Sequence, residues 1–346
     1  MTFFVHARAQ ADACAALGSP FTARLLRLVA DRISPGSDVA NKLLEWPVSR
    51  LKSDAVALRL TGALHYLVLT QAAPDLMCIF ATPNAFSDDQ IWQRIAASFD
   101  QHTAQILEFL DSAPQTNEIS RSTVLIAAAH WLTQAYQMPL VLSELGSSAG
   151  LNLLWDCYGL SVNEQYFGPD APVLTLTPDW SGSAPVDARP TVLTRAGVDL
   201  NPLNAAQNET RLLSYIWADQ PDRLARTKSA LKLARMNPPQ ISANNAIDWL
   251  ETRLSDLKLQ TVHFVYHTVT WQYFSEDDKK RGLKVLELAG KRASSDAPLA
   301  RFSMEQDETG PGAALRMHLW PEDRCIDFGR ADFHGRWIDW HAPDPR

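Results

Sequence analysis

From Phe3 to about Tyr136 the apolar positions recur three and four residues apart, as in Phe21, Leu25 and Leu28, in Ile91, Ile95 and Phe99, and in Val124, Ala128, Trp131 and Ala135. This spacing lays the apolar side chains along one stripe of an α-helix, so the first third of the chain predicts a bundle of about five helices. The punctuation agrees. Gly18 ends one helix, Ser19 is placed to cap the next and Pro20 suits its first turn, while Asp88 and Asp89 stand where a helix N-terminus favours negative charge.

After Met138-Pro139 the pattern changes to short β-rich runs separated by helical stretches. Strands are predicted near Leu140 to Leu145, Val192 to Val198, Gln240 to Ala243, Thr261 to His267, Leu299 to Met304, Ala314 to Leu319 and Gly335 to Trp340. Helices fall near Ala149 to Tyr158, Glu209 to Arg235, Ala246 to Leu257 and Glu276 to Arg292. Strands alternating with crossover helices predict an α/β fold with a largely parallel sheet. Only a loop, Trp320 to His334, is expected between the last two strands, which should pair antiparallel. Tyr166 to Asp187, rich in proline and glycine, reads as an inserted loop or small hairpin. The expected organisation is a helical domain over residues 1–136 and a Rossmann-like domain over 137–346.

A length of 346 residues fits two domains, and 46% hydrophobic with 21% charged residues is an ordinary globular composition. A net charge of -7 gives no general attraction to nucleic acid, and the one basic cluster, Lys279-Lys280-Arg281, follows Glu276-Asp277-Asp278 as a solvated helix start would. Cys14, Cys78, Cys157 and Cys325 stand singly, without zinc or redox spacing, which suits reduced thiols in a cytoplasm. The N-terminal residues lack a basic segment followed by an apolar run, and no later stretch has about 18 apolar residues, so neither export nor a membrane span is expected.

The candidate chemistry centres on Glu144-Leu145-Gly146-Ser147-Ser148-Ala149-Gly150-Leu151-Asn152, where an apolar strand turns through small residues into a predicted helix. In open α/β sheets cofactors bind at such turns. Small residues admit a ligand to the backbone, a helix N-terminus offers unpaired amides, and an acidic strand end can face a cation. Glu144, Gly146, Ser148 and Gly150 resemble the acidic-x-Gly-x-Gly-x-Gly first motif of class I methyltransferases, with Ser148 in place of the middle glycine. That resemblance implies a seven-stranded sheet with its last pair antiparallel and S-adenosylmethionine across the strand ends. Glu144, Gly146, Ser147, Ser148, Gly150 and Asn152 would line the cofactor. Asp199, ending the second strand, is placed to accept hydrogen bonds from ribose hydroxyls. Asn245 stands where an amide or acidic residue often faces the adenine, and equally reads as a helix cap.

At the end of the fourth strand, His267 is a candidate base, and Trp271 and Tyr273 are candidate walls for a small-molecule acceptor. Asn117, Glu118 and Arg121, at a helix start just before the sheet, resemble a motif of the bacterial family named below that would close over the site, and equally read as a capping and ion-pair cluster holding the helical domain to the sheet. His263 and His267 are four apart in a strand-like run with no third ligand apparent, so no metal is expected.

Two other readings use the same residues. Gly146-Ser147-Ser148-Ala149-Gly150 also fits Gly-x-Ser-x-Gly, a nucleophile elbow, and the chain order allows Ser148, then Asp323 or Asp327, then His334 as a serine hydrolase triad. Against it, a hydrolase needs several strands before its elbow. The altered glycine pattern also allows a ligand-binding protein that performs no transfer.

Over nearly its whole length the chain resembles a bacterial family termed domain of unknown function 2332. The resemblance rests on Leu17-Gly18-Ser19-Pro20, on Gln115 to Arg121, on Glu144 to Asn152 with Asp156, on Gly197 to Pro202, on Arg211 to Trp217, on Trp320-Pro321 and on His334 to Trp337. It implies a methyltransferase-like Rossmann domain by fold analogy and supplies no activity.

Overall fold

The computed structural model describes residues 2–345, which divide into two compact units. The first comprises the chain up to Thr116 together with Asn208–Lys228. Its helices are α1 (Phe3–Ala16), α2 (Pro20–Arg32), α3 (Asp38–Leu44), α4 (Val56–Leu69), α5 (Pro74–Ala81), α6 (Asp88–Gln101) and α7 (Thr103–Leu110). They are shorter and more numerous than expected because start signals interrupt the apolar stripe. Ser37 accepts the Ala40 amide, Pro74 opens α5, and Ser87 with Gln90 forms a reciprocal capping box ahead of Asp88 and Asp89. Ser19 occupies the N-cap position of α2 without a side-chain cap bond; Asp219 accepts the Phe21 amide at 2.9 Å and also the Ser19 hydroxyl. A carboxylate distant in sequence thus replaces the local hydroxyl. Leu25, Leu60, Leu64, Ile91 and Ile95 are buried in one core, each contributing on the order of 2 kcal/mol.

The second unit comprises Asn117–Gln207 and the chain from Ser229 onward. It begins with a 3-10 turn, Ile119–Arg121, and α8 (Ser122–Tyr136), a helix that the sequence reading grouped with the helical domain. There follow β1 (Leu140–Leu145), β2 (Gly159–Val162), β3 (Gln165–Phe167), β4 (Thr175–Leu176), β5 (Asp179–Gly182) and β6 (Val192–Asp199). The expected helix from Glu209 is broken into α9 (Glu209–Ser214), which belongs to the first unit, and α10 (Pro221–Met236), which passes from the first unit into the second after Lys228, consistent with proline opening a new helix. The chain then forms β7 (Ile241–Ala243), α11 (Ala246–Arg253), β8 (Val262–Thr268), α12 (Glu276–Gly290) and the strands β9 (Leu299–Gln306), β10 (Ala313–Trp320), β11 (Arg324–Ala331) and β12 (Trp337–Trp340).

The main sheet is mixed and nine-stranded, in the order β5-β12-β11-β10-β9-β8-β1-β6-β7. The block β7-β6-β1-β8-β9 is parallel throughout, whereas β9 to β12 form an antiparallel meander and β5 adds parallel to β12. The sheet therefore has more than the seven strands expected. β11 fills the predicted loop from Trp320 to His334, so the two strands expected to end the sheet do not pair with each other. The alternation of buried Ile326 and Phe328 carried the signal, masked by Arg324, Asp327 and Gly329. The expected insertion contains most of β3 together with β4 and β5; β3 and β4 join β2, which precedes the insertion, in a separate sheet, β3-β2-β4.

Alternation along the strands sends Leu145, Val198 and Val265 to one face, against Leu250 and Leu254 of α11 and Leu286 of α12. Phe264 and Tyr266 share the other face with Phe302 and Phe328, and Trp131 of α8 packs on Phe328 with ring centroids 5.4 Å apart. Strand β1 lies between β6 and β8, where the strand order reverses, and the crevice at the carboxyl ends of strands at such a reversal is the usual ligand position. Among the described residues, no single helix is long and apolar enough to cross a membrane.

Candidate functional site

The turn after β1 holds three left-handed residues, Gly146 at φ 70°, Ser148 at 53° and Gly150 at 71°. Packing as well as conformation demands the glycines. A Cβ on Gly146 would lie 2.3 Å from Cγ2 of Thr270, and one on Gly150 would lie 2.6 Å from Cγ of Pro239. The turns following adjacent β1 and β8 are thus in direct contact. Beyond Gly150 the chain forms a 3-10 segment, Leu151–Cys157, rather than the expected α-helix.

Five amides of the turn are already used. Those of Gly146 and Ser147 donate to the Val198 carbonyl at 2.9 and 3.0 Å, and that of Gly150 donates to the Ser147 carbonyl at 2.7 Å. Ser148 donates to Oδ2 of Asp199 at 2.8 Å, and Leu151 donates to Oδ1 of Asn117 at 2.8 Å. The expectation of an open helix N-terminus with unpaired amides is therefore corrected for these five, which the protein itself satisfies, as buried backbone requires.

Two side-chain atoms remain available. Glu144 is 2% exposed and Ser148 7% exposed, and neither Glu144 Oε2 nor Ser148 Oγ has a hydrogen-bond partner. Burial, reinforced by Asp199 and opposed by Arg121, pushes the Glu144 acid well above the usual carboxylate range. Asp199 takes the Asn201 amide at 2.9 Å on Oδ1 as well as Ser148 on Oδ2. A carboxylate offers about four acceptor sites, so each oxygen can still receive a hydroxyl. Ser147, in contrast, spends its hydroxyl on the Glu144 carbonyl at 3.0 Å.

The residues before α8 frame this turn. Asn117 holds Leu151, Ser122 donates to Oδ1 of Asn152 at 2.8 Å, and Tyr266 donates to the Asn152 carbonyl at 3.3 Å. Arg121 reaches the Thr268 carbonyl at 3.0 Å through Nη1 and that of Phe333 at 2.9 Å through Nε. Glu118 is buried and accepts the Ser120 amide at 3.2 Å.

His267 lies on the opposite face of the sheet from Glu144, since Tyr266 is the residue paired with Glu144 and side chains alternate. It is fully buried, with Nδ1 2.7 Å from Oε1 of Glu305 and Nε2 3.0 Å from Nη2 of Arg301. A guanidinium only donates, so Nε2 accepts and the proton sits on Nδ1. Burial dominates in holding the ring below the ordinary histidine pKa, and Arg301 adds to the effect against the pull of Glu305. Oε1 of Glu305 also takes the amides of Thr270 and Trp271 at 2.9 and 3.0 Å. These bonds outweigh burial and keep the Glu305 carboxyl below its usual range. Trp271 stacks on His267 at 5.0 Å, with Arg301 4.7 Å over its ring. Glu305 and Arg301 were not singled out from the sequence; their spacing of four on a strand, on the His267 face, was the available signal.

Tyr273 is 77% exposed, beyond the half-buried Trp271. Asn245 caps α11, its Oδ1 accepting Ile247 and Asp248 at 2.8 and 3.2 Å while Nδ2 faces Asp278 at 3.4 Å. The hydrolase triad is not assembled: Ser148 Oγ bonds to no histidine, Asp323 pairs with His318 at 2.8 Å, and Asp327 accepts the Gly329 amide. Among the described residues no cluster of three metal-ligating side chains gathers, and His263 and His267 stand four positions apart along β8.

No curated protein and no solved structure matches the chain. The profile of one bacterial family, described as an uncharacterised protein conserved in bacteria (DUF2332), matches residues 6–340, and the chain belongs to that family.

Proposed function

We propose that the chain is an S-adenosylmethionine-dependent methyltransferase of class I architecture acting on a small molecule. The observation that carries this reading is the parallel block β7-β6-β1-β8-β9, reversing at β1, with acidic residues at the ends of both β1 and β6. In this reading the meander from β10 stands where the antiparallel pair of a seven-stranded sheet would be. The cofactor lies across the strand carboxyl ends, with Asp199 receiving the ribose hydroxyls and Glu144 and Ser148 facing the methionine portion. Gly146, Gly150, Ser147 and Asn152 shape the turn, and Asn245 holds the start of α11 beside the adenine. Asn117, Glu118, Arg121, Trp271 and Tyr273 wall the acceptor.

Transfer then depends mainly on bringing the acceptor nucleophile in line with the methyl group. With both nitrogens bonded, His267 serves this reading better as a strut for the β8 turn than as a base. That same observation, with the filled turn amides, favours one second reading: a protein that binds the ligand without turnover.

Equilibrium dialysis against S-adenosylmethionine, with ATP and NAD as controls, tests the assignment. Saturable retention of S-adenosylmethionine alone supports it. Retention of neither adenosyl compound nor control at millimolar concentration overturns it.

A further inference from the structure

Glu144 occupies an unusual position for a carboxylate. It is buried on the α8 face of the sheet, and its Oε2 has no hydrogen-bond partner. The charged and titratable groups around it come from four elements: Asp199 at the end of β6, Arg121 from the turn before α8, Tyr266 of β8 and Tyr158 after the 3-10 segment. Arg121 directs Nε and Nη1 to the carbonyls of Phe333 and Thr268. Asp199 accepts two backbone amides, and its proximity disfavours a second negative charge at Glu144. An ionised carboxylate with an oxygen left orphaned in such a place is costly, by several kcal/mol. The resting form is therefore the neutral acid. A ligand bearing a positive charge at this turn supplies the missing partner, and a carboxylate is a far better partner for it than a carboxylic acid.

We propose that ligand uptake at the Gly146 turn is coupled to release of one proton from Glu144, whose carboxylate then faces the cationic group of the ligand. The inference rests on the S-adenosylmethionine reading and deepens it by making charge the property that Glu144 selects. The unliganded site holds no negative charge at Glu144 that would attract inorganic cations, and the charge appears only with the ligand. Linkage sets the consequence: affinity rises with pH, by up to tenfold per unit, wherever free Glu144 is protonated and bound Glu144 is not.

The test is calorimetric titration of the full chain with S-adenosylmethionine at pH 7 in phosphate and in Tris, whose protonation heats differ. The proposal expects binding heats that differ by the equivalent of about one proton released, and loss of that difference in Glu144→Gln with folding verified by circular dichroism. Binding with the same heat in both buffers overturns the proton coupling and leaves the cofactor reading standing. Retention of the difference in Glu144→Gln also overturns it. Absence of heat in every buffer overturns both. The wild-type comparison alone decides the question should the variant fail to fold.

Discussion

His267 and Glu305 are joined across adjacent strands by a 2.7 Å hydrogen bond from Nδ1 to Oε1, and the same oxygen receives the amides of Thr270 and Trp271. One carboxylate oxygen therefore fixes both the imidazole tautomer and the path of the chain leaving β8. Val269, between them, sits at φ 55°, a conformation that a β-branched residue adopts only under constraint. Thr270 in turn fills the space beside Gly146. The candidate site is thus braced from the far face of the sheet.

Glu305→Gln is expected to destabilise the second unit by about 2 to 4 kcal/mol, since it replaces charge-assisted bonds in a buried setting. Urea unfolding followed by tryptophan fluorescence measures this. A loss below about 0.5 kcal/mol would show that the carboxylate is not bracing the turn.

The contact between the two turns predicts coupling. Gly146→Ala should cost about 2 to 4 kcal/mol, from the left-handed backbone and the collision with Thr270. Thr270→Ala should recover part of that cost when combined with it, giving an interaction energy of about 1 kcal/mol or more in a double-mutant cycle. Simple additivity would contradict the contact.

Ser148 is in a left-handed conformation and leaves its buried hydroxyl unpaired. Ser148→Gly is accordingly expected to leave stability unchanged or raise it by up to about 1 kcal/mol, while weakening ligand binding. A large loss of stability would assign the hydroxyl to structure instead.

Acid response is predicted with a definite sign. Burial holds His65, His130 and His263 down to about 4, below the ordinary 6.5. A group whose folded pKa is depressed contributes stability that is present above its unfolded pKa and lost as pH falls. Unfolding free energy should therefore drop between about pH 6.5 and 4, by up to about 1.4 kcal/mol per pH unit for each histidine. Glu144 acts oppositely, because its folded pKa is raised: its contribution is present below the ordinary carboxylate pKa of 4.5 and is lost as pH rises. Glu144→Gln is expected to raise the Tm at pH 8 and to leave it little changed near pH 4. A lowered Tm at pH 8 would contradict burial of the neutral acid.

Much of this architecture is visible in the residue pattern, and the failures have physical causes. Within the parallel block β1 and β8 are buried on both faces, so short apolar runs such as Leu140-Val141-Leu142 and Phe264-Val265-Tyr266 reveal them. β11 and β5 are part-exposed strands outside that block, where charged residues, tryptophan and glycine break the alternation. The turn was found from its small residues, but its amide partners were not. Asp199, Asn117 and the Val198 carbonyl come from distant chain positions, and nothing local announces that a carboxylate will fill an anion-shaped turn. Asn245 as a cap was legible, since its partners are two and three residues away. The bracing of His267 was not, because Glu305 lies 38 residues downstream and meets it only through strand pairing.

The most direct test of the central reading is calorimetric titration of S-adenosylhomocysteine into the wild-type chain and into Asp199→Asn. Saturable 1:1 binding to the wild type is expected, weakened at least tenfold, or about 1.4 kcal/mol, in the variant that loses a carboxylate acceptor for the ribose. No heat at millimolar ligand, or equal affinity in the two proteins, would contradict it.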